Sequence, residues 1–349
     1  MLLKSTFSLL SLALAFSTQA LAQEWTVNKW DPAFKFENSE KITYTALDKA
    51  SKKWKLCVVF PHLKDPYWAA TNYGVASHAK KLGVAMDLFE AGGYPNLDKQ
   101  IEQVKNCAAG DYDAILLGSV SIDKMTPTIV EAAKSKPVFA TVNYVQGDGI
   151  TGMVSVDWTN MGRAAGDYFK TTYPKGGTPV KVAWIPGPET AGWVKVTDKG
   201  FREAIADSAV ELVTTKYGDT GADIQAAFVA EVLEEHPDVQ YIAGNAVAIE
   251  SALSVLRRKK IDSVSLVADY FTPAMYRGIR RGKLASAPSD SAALQGVLSV
   301  DQAVRYLEGK TIAKHIGPVI FNVTKDNFKS FPVDESLAPS DFKNVFSVK

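Results

Sequence analysis

Short apolar runs rich in β-branched residues alternate with amphipathic stretches of helical length from residue 55 onward, and this alternation restricts the fold more than any other feature. Strands that alternate with helices form mostly parallel sheets with helices on their faces. The first run of the pattern predicts strands at residues 56–60, 85–90, 114–118 and 138–142. Helices are predicted between them, at residues 67–82, 97–108 and 122–134.

A turn with two glycines within residues 143–152 interrupts the alternation, which then starts again. The second run predicts helices at residues 160–173, 194–206, 224–235 and 246–258. Its predicted strands lie at residues 180–185, 212–216, 239–243 and 263–267. A further amphipathic helix at residues 291–308 should pack on one of the sheets, although its pattern does not decide which. The 349 residues, 46% of them hydrophobic, suffice for two α/β lobes, each with its own core.

The N-terminal 22 residues have the parts of a secretory signal. Lys4 precedes an apolar run at residues 9–16, and small residues surround a cleavage site after Ala22. The alternative is a retained anchor, but the apolar run is too short to span a bilayer. We therefore expect cleavage, export to the periplasm and no membrane insertion of the mature protein. Residues 23–54 are predicted to form an irregular N-terminal arm.

Several classes of function are disfavoured by what the sequence lacks. A formal net charge of +1 argues against a nucleic-acid-binding surface. The four histidines lie on separate predicted elements without metal-ligand spacing, and neither a Gly-x-Ser-x-Gly nor a Gly-x-Gly-x-x-Gly motif follows the first strand. Because no nucleophile, base or metal site is matched, we predict that the chain is not an enzyme and uses no metal or cofactor.

The two cysteines, Cys57 and Cys107, are too far apart for a Cys-x-x-Cys redox motif or a zinc knuckle. An oxidising compartment favours a single disulfide between them. The alternative is a pair of buried free thiols, since cysteine often serves as a small core residue.

Loops that follow the predicted strands carry many aromatic side chains and several carboxylates. Parallel sheets bind ligands outside the carboxyl ends of their strands, so these loops should line one cleft. The rings are Tyr67, Trp68, Tyr94, Tyr144, Trp158, Trp193, Tyr270 and Phe271, and the carboxylates are Asp65, Asp157, Asp269 and Asp290. Core packing is the alternative for each ring, and helix capping for Asp65, Asp157 and Asp290.

Motifs in the same order resemble the ribose-type periplasmic binding proteins, which have a LacI-like core. The resemblance covers about residues 55–321 and is carried by Asp65-Pro66-Tyr67-Trp68, Ala183-Trp184-Ile185-Pro186-Gly187, Lys199-Gly200-Phe201 and Ser289-Asp290 before Leu294-Gln295-Gly296. It implies the type I fold, with two lobes joined by three hinge crossovers and closing over a ligand. One lobe would comprise residues 55–145 and 289–312, and the other residues 146–288 and 313–349.

The sequence departs from the sugar-binding members of the family at their ligand clamps. An Asp-Arg pair is expected after the fourth strand, where the chain has Asn143-Tyr144-Val145-Gln146. The arginine expected before Gly200 is also missing, and Lys195 is the nearest cation. Segments at residues 54–57, 63–68, 90–94, 114–118, 186–188, 191–192 and 276–278 are instead similar to those members that sense trimethylamine N-oxide. That resemblance implies a partner, the periplasmic domain of a sensor histidine kinase.

Trimethylamine N-oxide has three methyl groups on a formally cationic nitrogen and one strongly accepting oxygen. Aromatic faces attract such a cation, each contact contributing about 0.5 to 2 kcal/mol. The predicted ligand-binding residues are Asp65, Tyr67, Trp68, Tyr94, Asn143, Trp158, Trp193, Tyr270 and Asp290. Five of the rings would cage the cation, namely Tyr67, Trp68, Tyr94, Trp158 and Tyr270. Tyrosine hydroxyls or the tryptophan indole N–H would donate to the oxygen, while Asp65 and Asp290 would orient the rings or complement the charge. The alternative is a transport-coupled receptor for a sugar or another quaternary amine.

Overall fold

The computed structural model describes residues 23–349, so the signal segment predicted at residues 1–22 lies outside the described part of the chain. Its strands are β1 (Glu24–Asp31), β2 (Asn38–Thr45), β3 (Lys55–Phe60), β4 (Ala85–Glu90), β5 (Ala114–Leu117), β6 (Val138–Thr141), β7 (Gly152–Val154), β8 (Val180–Gly187), β9 (Val210–Tyr217), β10 (Tyr241–Gly244), β11 (Ser265–Ala268), β12 (Ser286–Ser289), β13 (His315–Pro318), β14 (Phe321–Thr324) and β15 (Ser347–Val348). Its helices are α1 (Pro66–Leu82), α2 (Leu97–Ala109), α3 (Thr126–Ala132), α4 (Trp158–Thr172), α5 (Gly192–Ile205), α6 (Ala222–Glu235), α7 (Ala246–Lys259), α8 (Pro273–Arg280), α9 (Ala292–Leu307) and α10 (Val333–Ser336). None of these helices is long and apolar enough to cross a lipid bilayer.

The strands form two sheets, one in each lobe. The first sheet has the order β15-β4-β3-β5-β6-β7-β13-β1-β2, and the second has the order β14-β12-β11-β10-β8-β9. The central strands pair in parallel, β3 with β4 and β5, and β10 with β8 and β11. Strands buried on both faces, such as β5, appear in the sequence as continuous apolar runs. The predicted α/β fold with two parallel, helix-flanked sheets is confirmed.

One pair of helices crosses at very short range in each lobe, α1 with α9 and α4 with α5. A Cβ atom added to Gly74 of α1 would lie 1.9 Å from the backbone oxygen of Ala293, and one added to Gly162 of α4 would lie 1.9 Å from that of Thr197. Glycine therefore permits direct backbone contact at both crossings. Since α9 also contacts β5, β6 and β7, it belongs to the first lobe.

The N-terminal arm is not irregular, so this prediction was wrong. Strands β1 and β2 form an antiparallel hairpin that pairs Glu24 with Thr45, and β1 then joins the first sheet beside β13. Alternate residues of the hairpin are buried against α9 and β13, among them Trp25, Val27 and Tyr44. The hairpin forms here because the edge of β1 pairs with β13, which lies far away in the sequence, while one face of the hairpin packs against α9. A local pattern does not reveal that partner.

The boundaries of the lobes also differ from the prediction. Strands β7, β13 and β15 fall in the ranges predicted for the second lobe, residues 146–288 and 313–349, but they pair within the first sheet. These strands have only two to four residues each. Such short segments carry little periodic signal, and the sheet that each one joins is decided by pairing with distant residues.

The chain passes between the lobes after β7, after β12 and after β13, which confirms the three crossovers. Beyond α10 the C-terminal tail returns to the first lobe. There the backbone N–H of Val345 donates to Asn72 Oδ1 (2.7 Å), and β15 pairs with β4. The tail thus adds one more connection between the lobes.

Cys57 in β3 and Cys107 in α2 form a disulfide with a Cα–Cα distance of 5.9 Å. The predicted disulfide is confirmed, and the two cysteines are not free thiols. Both residues are buried in a cluster with Val59, Val104 and Ile115 on the α2 face of the first sheet. The bond therefore ties a helix to the strand beneath it.

Candidate ligand-binding site

A small cavity lies between the lobes at the carboxyl ends of the parallel strands, with a volume of about 10 Å³. It is lined by Asp65, Tyr67, Trp68, Tyr94, Asn143, Trp158, Trp193, Thr220 and Tyr270. All of the predicted ligand-binding residues except Asp290 thus line one cavity, with Asp65 to Asn143 contributed by the first lobe and the others by the second. A larger open groove runs between α1, α9 and residues 331–335, away from the strand ends. We assign the candidate site to the smaller cavity because the strand-end loops converge on it.

Four aromatic rings surround the cavity in a closed circuit. The ring centroid of Tyr67 lies 6.2 Å from that of Trp158 and 5.3 Å from that of Tyr270. Trp193 completes the circuit, with its centroid 5.3 Å from Trp158 and 6.0 Å from Tyr270. The rings are inclined to one another by 51° to 84°. We call these four residues the aromatic box; Tyr67 belongs to the first lobe and the other three to the second.

Two further rings extend the aromatic box into the first lobe. Tyr94 lies 6.2 Å from Trp193, and Trp68 lies 5.9 Å from Tyr67. Trp68 packs over Gly118, where an added Cβ atom would lie 2.6 Å from its indole ring. The glycine that ends the predicted strand at residues 114–118 therefore leaves room for a site residue.

The Asp-Pro sequence at the start of α1 places the first-lobe rings. Asp65 caps the helix, since its Oδ1 accepts a hydrogen bond from the backbone N–H of Tyr67. Pro66 suits the first helical position, where no N–H is needed. Tyr67 and Trp68 consequently lie in the first turn, directly beyond the end of β3. Asp157 caps α4 in the same manner and puts Trp158 in its first turn.

Asp65 has a second role across the cleft. Its Oδ2 accepts a hydrogen bond from the hydroxyl of Tyr270, with an oxygen–oxygen distance of 3.0 Å. One carboxylate thus caps a helix of the first lobe and holds an aromatic ring of the second. Helix capping and ring orientation are compatible roles for Asp65, and the structure shows both.

Asp290, which was predicted to orient the rings or complement the cation, does not line the cavity itself. It lies behind Tyr67 and accepts hydrogen bonds from the Tyr67 hydroxyl and from Gln295 Nε2 (2.6 Å). Asp290 is on the crossover after β12, and the sequence does not show whether a carboxylate there faces the cleft or the residue beside it. Its position leaves it the role of orienting the ring of Tyr67.

Burial raises the pKa of both Asp65 and Asp290 to about 6, and the hydrogen bonds that each accepts oppose this rise. Both carboxylates are therefore mostly ionised at neutral pH. In the described part of the chain no lysine or arginine lines the cavity. Lys64, which neighbours Asp65 in sequence, is paired with Asp219 of the second lobe instead. The site consequently has a negative potential with no resident cation.

Hydrogen-bond donors also face the cavity. Asn143 Nδ2 donates to the backbone oxygen of Ser119 (2.7 Å) and to the hydroxyl of Tyr94 (3.2 Å). The indole N–H of Trp193 is buried near that hydroxyl, but no hydrogen bond of acceptable geometry to the described residues satisfies it. A buried N–H of this kind offers a binding point for an acceptor atom of a ligand.

Some strand-end residues singled out from the sequence lie elsewhere. Tyr144 packs on Phe36, and Phe271 packs on Phe331, so core packing describes these two rings correctly. Asp269 is fully buried beside Tyr270, and burial holds its pKa well above the usual range for aspartate. Thr220 lines the cavity but was not predicted. It follows β9, and the strand-end rule would have found it if the loop after that strand had been included.

The sequence profile of the periplasmic binding protein domain matches residues 56–311. Among curated relatives, the periplasmic protein TorT of Escherichia coli K12 is 37% identical over 85% of this chain and 86% of its own length.

Solved structures of periplasmic binding proteins are also similar to this chain. A solute-binding protein of an ABC transporter from Bradyrhizobium sp. BTAi1, with bound bis-tris, is 44% identical. It has a TM-score of 0.79 over 92% of this chain and 98% of its own. TorT in complex with the TorS sensor domain has been solved without ligand and with TMAO. In both complexes it is 37% identical and has a TM-score of 0.78 over 84% of this chain and 100% of the matched chain.

Proposed function

The chain belongs to the periplasmic binding protein family, and we propose that it is a periplasmic sensor for trimethylamine N-oxide. In this proposal the ligand binds in the cavity between the lobes, and the closed protein regulates a TorS-type sensor histidine kinase by direct contact. Its similarity to TorT, which has been solved with the TorS sensor domain and TMAO, supports both parts. The segment at residues 1–22 would direct export to the periplasm and be removed.

The aromatic box is the observation that carries the proposal. A quaternary nitrogen attracts aromatic faces through their quadrupoles, and four rings with centroids 5.3 to 6.2 Å apart surround one small volume. Ionised Asp65 and Asp290 add negative potential, and no lysine or arginine among the described residues lines the cavity. The indole N–H of Trp193, which has no well-aligned acceptor among residues 23–349, is a donor for the oxygen of the N-oxide. A sugar would instead require its charged clamps, and the Asp-Arg pair and the arginine expected in sugar-binding members are both missing.

Closure of the lobes follows from the composition of the aromatic box. Because Tyr67 comes from the first lobe and the other three rings from the second, a ligand touches all four only when the lobes are closed. The hydrogen bond from Tyr270 to Asp65 also exists only in that arrangement. Ligand binding therefore favours the closed shape, and a kinase domain bound across both lobes would respond to the change.

Isothermal titration calorimetry of the mature protein tests the ligand. Trimethylamine N-oxide should bind with micromolar affinity, about 8 kcal/mol, whereas ribose should give no heat. Trp158→Ala should weaken binding by at least about tenfold, because it removes one wall of the aromatic box. The control Trp54→Ala removes a tryptophan that lies outside the cavity and should leave the affinity unchanged. Tight ribose binding with no response to the N-oxide would refute the proposal.

The kinase part needs its own experiment. Size-exclusion chromatography with the periplasmic domain of the TorS-type kinase from the same organism should show a complex. Small-angle scattering of that complex should then change when trimethylamine N-oxide is added. Failure of the two proteins to associate, with or without ligand, would contradict the signalling role while leaving the ligand proposal intact.

One observation favours a second candidate, a transport-coupled receptor for another amine. The Bradyrhizobium relative is a solute-binding protein of an ABC transporter with bound bis-tris, which is a tertiary amine. In this case the protein would bind amines in the same aromatic box but would not associate with a sensor kinase. A calorimetric comparison of trimethylamine N-oxide, betaines and bis-tris distinguishes the preferred ligand, and the chromatography above distinguishes the partner.

A further inference from the structure

His62 lies where the two lobes meet, beside the candidate site but outside its wall. It follows β3 in the first lobe and is almost completely buried. Its Nε2 lies 3.3 Å from the hydroxyl of Thr220, which lines the cavity from the second lobe. Its ring packs edge-on against two site residues, with centroids 5.6 Å from Tyr94 and 6.5 Å from Trp68. The imidazole therefore touches both lobes and supports two walls of the cavity.

The hydrogen bonding of His62 suits only the neutral imidazole. A protonated ring has two N–H donors and requires two acceptors. Thr220 faces Nε2, whereas Nδ1 is buried without a partner among the described residues. A charged ring would leave a buried donor unsatisfied, which is costly.

The charged groups near His62 belong to both lobes. Lys64, in the same loop, disfavours protonation, while Asp219 in the loop after β9 favours it. These two side chains form an ion pair with each other across the cleft. Burial is the largest effect and, with Lys64, lowers the pKa of His62 to about 4. Trp68 of α1 and Tyr94 of the loop after β4 also contact His62, and both of these rings are uncharged.

We propose that His62 is a positioning residue that permits full closure of the lobes only when its ring is neutral, so that acidification releases the ligand. The proposal rests on the function proposed above, because it concerns the same cavity. Thr220 and the loop that carries it cover His62 in the closed protein. Opening the lobes removes this cover and exposes the ring to water, where protonation is no longer opposed.

The direction and size of the effect follow from linkage. When the lobes are open, His62 should titrate near its ordinary pKa of about 6.5. Closure of the lobes lowers this pKa. A group with a lowered pKa in the closed state stabilises closure at high pH and loses that effect as the pH falls through about 6.5 towards 4. Between pH 7.5 and 5.5 His62 should weaken ligand binding about tenfold.

Asp65 and Asp290 titrate in the same pH range as His62. A variant without the imidazole is therefore needed to separate the effect of His62 on ligand affinity from the effect of the two carboxyl groups. We would measure trimethylamine N-oxide binding by calorimetry at pH 7.5 and 5.5 for the wild type and for His62→Gln. Glutamine reaches Thr220 with an uncharged amide and does not titrate. The loss of affinity on acidification should be about tenfold greater in the wild type than in His62→Gln. Parallel losses would overturn the proposal.

Two further measurements keep the test decisive. Thr220→Val leaves the histidine in place but removes its partner, and it should weaken binding at pH 7.5 by about threefold to tenfold. Small-angle scattering without ligand gives an independent result. The radius of gyration should grow more between pH 7.5 and 5.5 in the wild type than in His62→Gln, where His62 no longer titrates but Asp65 and Asp290 still do. Equal growth in both proteins would count against the role of His62. If the wild type does not bind the N-oxide at pH 7.5, the proposed ligand is wrong and scattering alone decides the role of His62.

Discussion

Tyr270 offers the sharpest test of how the candidate site works, because its ring and its hydroxyl have separable roles. The ring forms one side of the aromatic box, and the hydroxyl donates to Asp65 across the cleft at 3.0 Å. Tyr270→Phe removes the hydroxyl alone, and Tyr270→Ala removes both. Comparing the two variants therefore divides the binding free energy between closure of the lobes and recognition of the cation.

The expected magnitudes follow from these contacts. A hydrogen bond to a charged group contributes about 1.5 to 3 kcal/mol. Since this bond joins the two lobes, its loss acts on the closed state and should weaken ligand binding by about tenfold to a hundredfold. The ring contributes a further cation–π interaction of about 0.5 to 2 kcal/mol. Tyr270→Ala should therefore bind at least about twofold more weakly than Tyr270→Phe.

Calorimetry with trimethylamine N-oxide at pH 7.5 measures both affinities, and melting curves show whether each variant is folded. Tyr276→Phe is the matched control, because it removes the hydroxyl of a half-buried tyrosine in the same lobe but outside the cavity. Wild-type affinity in Tyr270→Phe would show that the hydrogen bond to Asp65 does not help closure. Equal affinities in Tyr270→Phe and Tyr270→Ala would show that the ring does not contact the cation.

Three other predictions concern the scaffold. Replacing Cys57 and Cys107 by alanine opens a loop with a sequence separation of 50, so the free energy of unfolding in urea should fall by about 4 kcal/mol while ligand binding is retained. Asp290→Asn exchanges a charged acceptor for a neutral one behind the aromatic box, and calorimetry should show about tenfold weaker binding with little change in melting temperature. Gly162→Ala places a methyl group 1.9 Å from a backbone oxygen of α5 and should lower the stability by more than about 2 kcal/mol. Thermal denaturation measures this loss, with Gly221→Ala as the control. The added Cβ atom of Gly221→Ala would lie 3.7 Å from its nearest neighbour, so this variant should change the stability much less.

Much of the candidate site was predictable because the signals that place it are local. Asp65 and Pro66 start a helix directly after a strand, so Tyr67 and Trp68 must lie at the edge where parallel strands end. The same reasoning holds for Trp158 after its capping aspartate. The aromatic character of these loops and the missing sugar clamps also indicate an amine ligand from the sequence alone.

Other features depended on contacts between distant parts of the chain. Asp290 and Asp65 both precede helices and look equivalent in the sequence, but only Asp65 reaches the cavity. Tyr144 and Phe271 follow strands as Tyr270 does, yet their rings pack into the core. Neither the strand-end rule nor residue type separates these cases, because side-chain direction depends on what the opposite lobe presents.

By itself, the amino-acid sequence determined the alternation of strands and helices, the capped starts of α1 and α4 and the chemistry of the strand-end loops. These properties depend on residues within a few positions of one another, through the periods of helix and strand and through capping. Only the tertiary structure decided which sheet β7, β13 and the N-terminal hairpin join, and which rings meet across the cleft. Those outcomes depend on pairing and burial between segments far apart in the chain, and the closed aromatic box exists only when both lobes are in place.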